Sequence, residues 1–373
     1  MLKRFFPVLV MTLAFAVGCS DDTTTPETPP AAYEPITPVN PAPAGERLFG
    51  ITVSESSNGF DADFEVAKEV GIQVAELSLD WDAVEVSDGV YQDPNGVLEA
   101  MAFYPPNGVS LILTFAVINT VARTTPDHLD QYDWNDPQLI AAFNDMADWV
   151  FSQLPAELVV LGVALGNEVN YVLEDDQWVS YGEFVQAAGT HLRGLNSELK
   201  IGVKTTVIDG LFGYQGTLIK NLNEHTDVVM LNYYPQDHLF QVLAPSRVHN
   251  DFSRVTTEFQ YDEIWYTEVG YQSGTEYCQS SQDQQAAFIH ELFTAWDSNK
   301  DFTRLLLIDW LHDASSAQLE EWGSYYGSTD PAFLEFLGTL GLRTHDGHDK
   351  NAWIQLKAET APRGWLQVFP ANK

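Results

Sequence analysis

The sequence predicts an α/β fold, a closed (β/α)8 (TIM) barrel, on three observations. Eight apolar, β-rich runs recur between about residues 46 and 370 with helix-like stretches between them, the alternation of a parallel sheet covered on both faces. No glycine-rich phosphate loop follows the first run, as an open nucleotide-binding sheet would carry. Unusual polar residues stand at the carboxyl ends of many different runs, where barrel active sites are built.

Taken in order, the runs are Leu48–Ser54, Val74–Leu79, Ser110–Phe115, Val159–Leu165, Lys200–Thr205, Val228–Tyr233, Ile264–Glu268 and Leu305–Trp310. Each is short and apolar, as strands buried on both faces are. Amphipathic stretches such as Pro137–Leu154, Tyr181–Leu195 and Gln282–Trp296 are long enough to cover a sheet. Asp136-Pro137 supplies a capping residue followed by proline, which opens the helix before the fourth strand.

Lys3 and Arg4 precede an apolar run from Phe5 to Val17, too short to span a bilayer comfortably, so residues 1–18 read as an export signal. Ala16-Val17-Gly18-Cys19 resembles the lipobox of bacterial lipoproteins, which implies cleavage before Cys19 and its acylation. Residues 19–45 are rich in Asp, Thr, Pro, Glu and Ala and are expected to form a disordered tether. The barrel domain is then residues 46–373, expected to be exported, held at the cell envelope by the lipid, and monomeric.

Lys and Arg number 18 against 53 Asp and Glu, a formal net charge of −35. That balance disfavours nucleic acid as a partner, and were the partner a glycan it would favour a neutral one over a polyanionic one. With Cys19 acylated, Cys278 has no intrachain partner, and no Cys/His spacing points to structural zinc.

The chemistry is suggested by two acids. The fourth run ends Leu165-Gly166-Asn167-Glu168 and the seventh Tyr266-Thr267-Glu268, each where a strand meets its loop, so both face one mouth. Alternation places Ala164, Gly166 and Glu168 on one side, with the small residues leaving room beneath the acid. Facing carboxyl groups are what glycosidic cleavage requires. One delivers a proton to the leaving oxygen and the other meets the developing positive charge, and a separation of about 5–5.5 Å gives retention of configuration.

Asn-Glu closing the fourth strand and Glu closing the seventh is similar to the pattern of glycoside hydrolase clan A. The resemblance implies a retaining glycosidase with Glu168 as acid/base, Glu268 as nucleophile and Asn167 on the sugar 2-hydroxyl. Leu231-Asn232-Tyr233-Tyr234-Pro235 looks like the tyrosine-bearing strand of family 53 endo-β-galactanases, and Thr267-Glu268-Val269-Gly270-Tyr271 like mannanase and cellulase branches. Trp310 matches the clan's sugar-stacking tryptophan. Gly341-Leu342, Asp346-Gly347 and Ala352-Trp353 extend the likeness to the closing segment. The second strand, Leu77-Ser78-Leu79-Asp80-Trp81, lacks the arginine of many members and the third, Thr114-Phe115-Ala116, lacks their histidine, which leaves subfamily and sugar open. By resemblance the expected action is endo, on a β-linked galactan, mannan or glucan.

Other candidates follow from chemistry. Trp81, Tyr233, Tyr234, Tyr271 and Trp310 are candidate sugar-stacking or site-lining aromatics, and Tyr233 or Tyr234 would bond the nucleophile. Trp265 alternates away from Glu268 and is assigned to the helix-facing layer. His312-Asp313 and residues 323–329, with Tyr325 and Tyr326, are placed near the cleft, and His345-Asp346-Gly347-His348-Asp349 is read as a turn. No cofactor or metal is called for. The competing reading is a non-catalytic glycan-binding lipoprotein on the same fold; a different barrel chemistry is disfavoured by the lack of a phosphate loop, of metal-ligand spacing and of a lysine at a convincing Schiff-base position, Lys204 on the fifth strand being the only lysine to watch.

Overall fold

The computed structural model describes residues 32–365. Its staves are β1 (Leu48–Ile51), β2 (Val74–Asp80), β3 (Ser110–Asn119), β4 (Val160–Asn167), β5 (two segments, Lys200–Gly202 and Lys204–Thr206), β6 (Val229–Tyr233), β7 (Ile264–Val269) and β8 (Thr303–Ile308). The hydrogen-bonded path runs from Lys200–Gly202 through β4, β3, β2, β1, β8, β7 and β6 to Lys204–Thr206. Its two ends are thus the halves of β5, separated only by Val203. The parallel sheet therefore curls into a barrel interrupted at one residue.

Two apolar zones hold it. Between strands and helices lie Phe49, Leu113, Phe115, Phe143, Phe184 and Phe293, all essentially buried; each such side chain contributes about 1.5–3 kcal/mol relative to exposure. Inside the barrel, Val74, Ile112, Ala164, Met230, Trp265, Leu305 and Leu307 close the floor. Trp265 thus belongs to the interior and not to the helix-facing layer. The reason is a break in pleat: β6 pairs Leu231 with Tyr266 but Asn232 with Glu268, so Thr267 is an extra residue and both Trp265 and Glu268 point inward. Gly162 makes room for the indole, since a Cβ there would lie 2.8 Å from the Trp265 ring and 2.6 Å from the Lys200 carbonyl.

Helices cover the outside. Pro137–Gln153 starts as expected, with Asp136 accepting from Gln138 N and proline in the first turn. Trp178–Leu195 and Gln282–Ser298 follow β4 and β7. After β8 the chain adds Ser316–Tyr325, opened by a reciprocal Ser315/Gln318 capping box, and Pro331–Gly338, capped by Asp330, before Asn351–Arg363. None of the helices among the described residues is long and apolar enough to cross a membrane.

The tether expected over residues 19–45 gives way earlier than composition suggests. Ile36 N donates to Gln355 (2.8 Å) and Gln355 Nε2 returns a bond to Ile36 O (2.9 Å). Ala42 N donates to Asp297 (3.1 Å) and Ala44 N to Arg363 O (2.8 Å). Prolines have no N–H to satisfy, so this apolar-poor strap docks through a few bonds rather than through a core. The signal segment 1–18 and Cys19 lie outside the described residues.

Candidate active site

The mouth is assembled from strand ends. β4 finishes with Gly166 at φ 90° and Glu168 at φ 49°, a left-handed conformation uncommon for a residue with a side chain and a recurrent mark of functional sites. Gly166 does not lie beneath the acid, as alternation suggested: a Cβ on it would meet the Tyr181 hydroxyl at 2.5 Å and Val169 at 2.6 Å. The irregular turn swings Asn167 and Glu168 into a cavity of about 1040 Å³, which Glu268, Asn232, Tyr234, Asp309 and Trp310 also line.

Each carboxyl has a distinct setting. Glu268 receives Lys204 Nζ on Oε1 (3.1 Å) and the Tyr234 hydroxyl on Oε2 (3.0 Å). Glu168 receives neutral groups instead, Asn232 Nδ2 at 3.3 Å and the Thr120 side chain. Asn232 also reaches Asn167 Oδ1 (3.2 Å), and its own Oδ1 accepts from Thr267 (3.1 Å), so one amide joins the ends of three staves. Asn167 Nδ2 bonds Asn119 (3.4 Å) and Thr120 (3.3 Å).

The electrostatics separate the acids. Burial, and then the charge of Glu268, push the Glu168 carboxyl up to about 7. Burial and the same neighbour hold Asp309 well above the ordinary carboxyl range. Lys204 is opposed by burial, but Glu76 and Glu268 outweigh that and raise it, so it stays an ammonium. A protonated, ion-paired lysine is no Schiff-base nucleophile, which removes the chemistry the sequence left open for it.

The expected aromatics divide. Tyr234 and Trp310 line the cavity; Trp310 follows a cis Asp309-Trp310 peptide, and its ring lies 4.8 Å from that of Trp322 at 34°. Trp81, Tyr233 and Tyr271 are not brought to the mouth. Trp81 is wholly buried, donating to Glu85 (2.8 Å) and packing edge-on to Phe143. Tyr233 is wholly buried, and its hydroxyl goes to Asp251 (2.9 Å) on helix Arg247–Glu258. Tyr271 stacks on Phe288 and donates to Leu243 O (2.8 Å). Tyr233 faces outward because neighbours on a strand alternate, whereas Trp81 and Tyr271 lie past the ends of β2 and β7, where alternation along the strand no longer sets the direction of a side chain.

His312 is wholly buried and bonds Ser54 O (3.1 Å), away from the mouth. Residues 344–349 form a turn with Gly347 at φ 82°, pinned by Arg343 and Asp349 at 2.8 Å. Tyr326 lines the cavity and Tyr325 donates to Asn119 O (3.0 Å). Among the described residues, Glu85, Asp88 and His128 have ligand-type atoms within 4.8 Å of one another. Glu85 there already accepts from Trp81 and Gly89 N, and none of the three lines the cavity. Sequence reasoning passed over Glu76, Asn232 and Asp309; an acid inside an apolar strand, as in Val74-Ala75-Glu76-Leu77, is the signal that could have found the first.

No protein-family model matches the chain, and no curated protein matches it. Solved structures share its fold. A GH5_18 protein from Bifidobacterium longum subsp. longum, in complex with Manb1-4GlcNAc, superposes with a TM-score of 0.64 at 14% identity, over 87% of this chain and 80% of that one. An exo-beta-1,4-mannosidase from Opitutaceae bacterium strain TAV5 gives 0.64 at 14%, over 85% and 59%. A beta-glucosidase from Thermotoga maritima in complex with deoxynojirimycin gives 0.58 at 13%, over 88% and 100%. At these identities the likeness establishes the barrel fold.

Proposed function

We propose that this chain is a retaining β-glycosidase acting on a neutral glycan, with Glu168 as acid/base and Glu268 as nucleophile. The observation that carries the reading is the opposed setting of two carboxyls in one mouth. Glu268 is fixed by an ammonium and a phenol, whereas Glu168 is held protonated to about pH 7. Glu168 gives its proton to the glycosidic oxygen as Glu268 attacks the anomeric carbon, forming a glycosyl ester. That ester cancels the Glu268 charge, one of the two causes raising Glu168, so Glu168 becomes the better base and takes a proton from the water that cleaves the ester. Tyr234 and Lys204 then receive the carboxylate as it leaves.

The structural neighbours, a protein in complex with a mannosyl disaccharide and two β-glycosidases, support the same chemistry. The cavity wall carries the acids Asp209, Asp237 and Glu268, with His238 as the one basic residue lining it among the described residues, which favours uncharged sugars over uronates. Endo action is the reading carried over from the sequence. A second reading, end-wise cleavage of short β-linked oligosaccharides, is favoured by Trp322, Tyr326, Phe333 and Phe336, which wall part of the cavity.

The test is reducing-end release from a panel of neutral β-glycans, with Glu268→Ala alongside. Loss of activity in the variant supports the glycosidase. Silence of both proteins with glycan binding intact would favour the capture lipoprotein instead. A rapid fall in viscosity marks endo action, and monosaccharide release marks end-wise action. Export and acylation at Cys19 are proposed with it, and a Cys19→Ser protein that stays in the membrane fraction would refute the anchor.

A further inference from the structure

Lys204 stands on β5, yet its ammonium contacts neither neighbouring stave. It pairs with Glu76 on β2, across the barrel, and with Glu268 Oε1 on β7 at 3.1 Å. The lysine side chain is 2% exposed and Glu76 10%. Glu76 Oε1 also accepts from Thr114 on β3 (2.9 Å). One buried cation therefore bridges two acids, of which Glu268 borders the cavity and Glu76 does not.

We infer that Lys204 is a positioning residue for Glu268, supplying its carboxylate with a counter-charge and fixing its orientation, and that Glu76 sets the strength of that hold by competing for the same ammonium. The inference rests on the glycosidase reading for its purpose and on geometry for its substance. A lysine facing Glu268 alone would bind the carboxylate tightly and blunt its attack. Sharing the ammonium with a second acid weakens that pull while keeping the cation protonated. The other titratable groups around Glu268 are Tyr234, Asp309, Glu168 and Tyr326. None of them supplies a positive charge, so removal of Lys204 leaves Glu268 without one.

The experiment is a carbon-13 NMR titration of the glutamate side-chain carboxyls in the unliganded protein, with the Glu268 signal assigned by Glu268→Gln. Lys204→Met should raise the Glu268 midpoint by about one pH unit or more, and Glu76→Gln should lower it. The doubly substituted protein should fall between them. If Lys204→Met strands Glu76 and unfolds the protein, the double variant compared with Glu76→Gln isolates Lys204 without a buried unpaired acid. A Glu268 midpoint that does not move between members of either pair overturns the inference. The titration needs no substrate, so a protein that hydrolyses nothing sinks the glycosidase reading and leaves this result standing. Where hydrolysis is found, the acid limb of kcat/KM should move in the same directions as the midpoint.

Discussion

The Tyr234 hydroxyl lies 3.0 Å from Oε2 of Glu268 and 3.1 Å from Oδ2 of Asp309. A phenol has one proton to give. Asp309, held protonated by burial and by Glu268, can donate its own proton to the phenol oxygen, which leaves the Tyr234 proton for Glu268. The result is a directed chain ending on the proposed nucleophile. Tyr234→Phe should lower kcat about 10- to 100-fold with a smaller change in KM, the scale of a hydrogen bond to a charged group. Tyr233→Phe, one residue earlier, removes only the bond to Asp251, which keeps Arg247 at 2.8 Å. It should cost about 1 kcal/mol of stability and leave kcat unchanged. Equal kinetic damage from the two would refute the assignment.

The Glu168 carboxyl at about 7 gives the pH profile its alkaline side. Because the proposed reaction needs this group protonated, kcat/KM should fall as pH rises through about 7. Glu168→Gln should abolish that limb along with most activity on alkyl glycosides. Aryl glycosides with acidic phenols need little protonation to leave, so their first step should suffer less. An unchanged alkaline limb in the variant would assign the proton to another group.

The same shift has a thermodynamic sign. A carboxyl raised in the folded state binds its proton more tightly there than in the unfolded chain, so stability falls as pH rises from its ordinary range near 4.5 to about 7. At pH 8 the group is ionised in both states and its burial opposes folding in full. Glu168→Gln should therefore raise Tm by a few degrees at pH 8 and by less at pH 5, which calorimetry at the two pH values will show. A loss of Tm at pH 8 would mean the folded protein stabilises this carboxylate.

The barrel was legible because its eight runs each bury two faces and so stand out as short apolar segments. Glu168 and Glu268 were legible because an acid abruptly ends such a run. What the sequence concealed was phase. Trp265 and Glu268 share the interior only through the extra residue Thr267, and Gly166 turns away from the mouth at φ 90°. Tyr233 and Tyr234 could not be ranked for a similar reason: adjacent residues face opposite ways, and the one beyond the strand end reaches Glu268. Lys204 with Glu76 was hidden because their partnership crosses the barrel between staves that are not neighbours.

Trp322 offers a test of how the mouth receives sugar. It stands on helix Ser316–Tyr325, none of whose residues is fully buried, and leans on Trp310 with ring centroids 4.8 Å apart. Both rings border the cavity. Trp322 thus packs against Trp310, and a sugar stacking on Trp310 would use the face that Trp322 leaves uncovered, with Trp322 as its support. Removing the support costs an aromatic contact worth about 0.5–1.5 kcal/mol, so Trp322→Ala should raise KM roughly 2- to 10-fold with little change in kcat. Trp310→Ala, which would remove the stacking surface itself, should raise KM further. A fall in KM for Trp322→Ala would show the opposite arrangement, with the Trp322 indole occupying the place of the sugar and having to leave before substrate can stack.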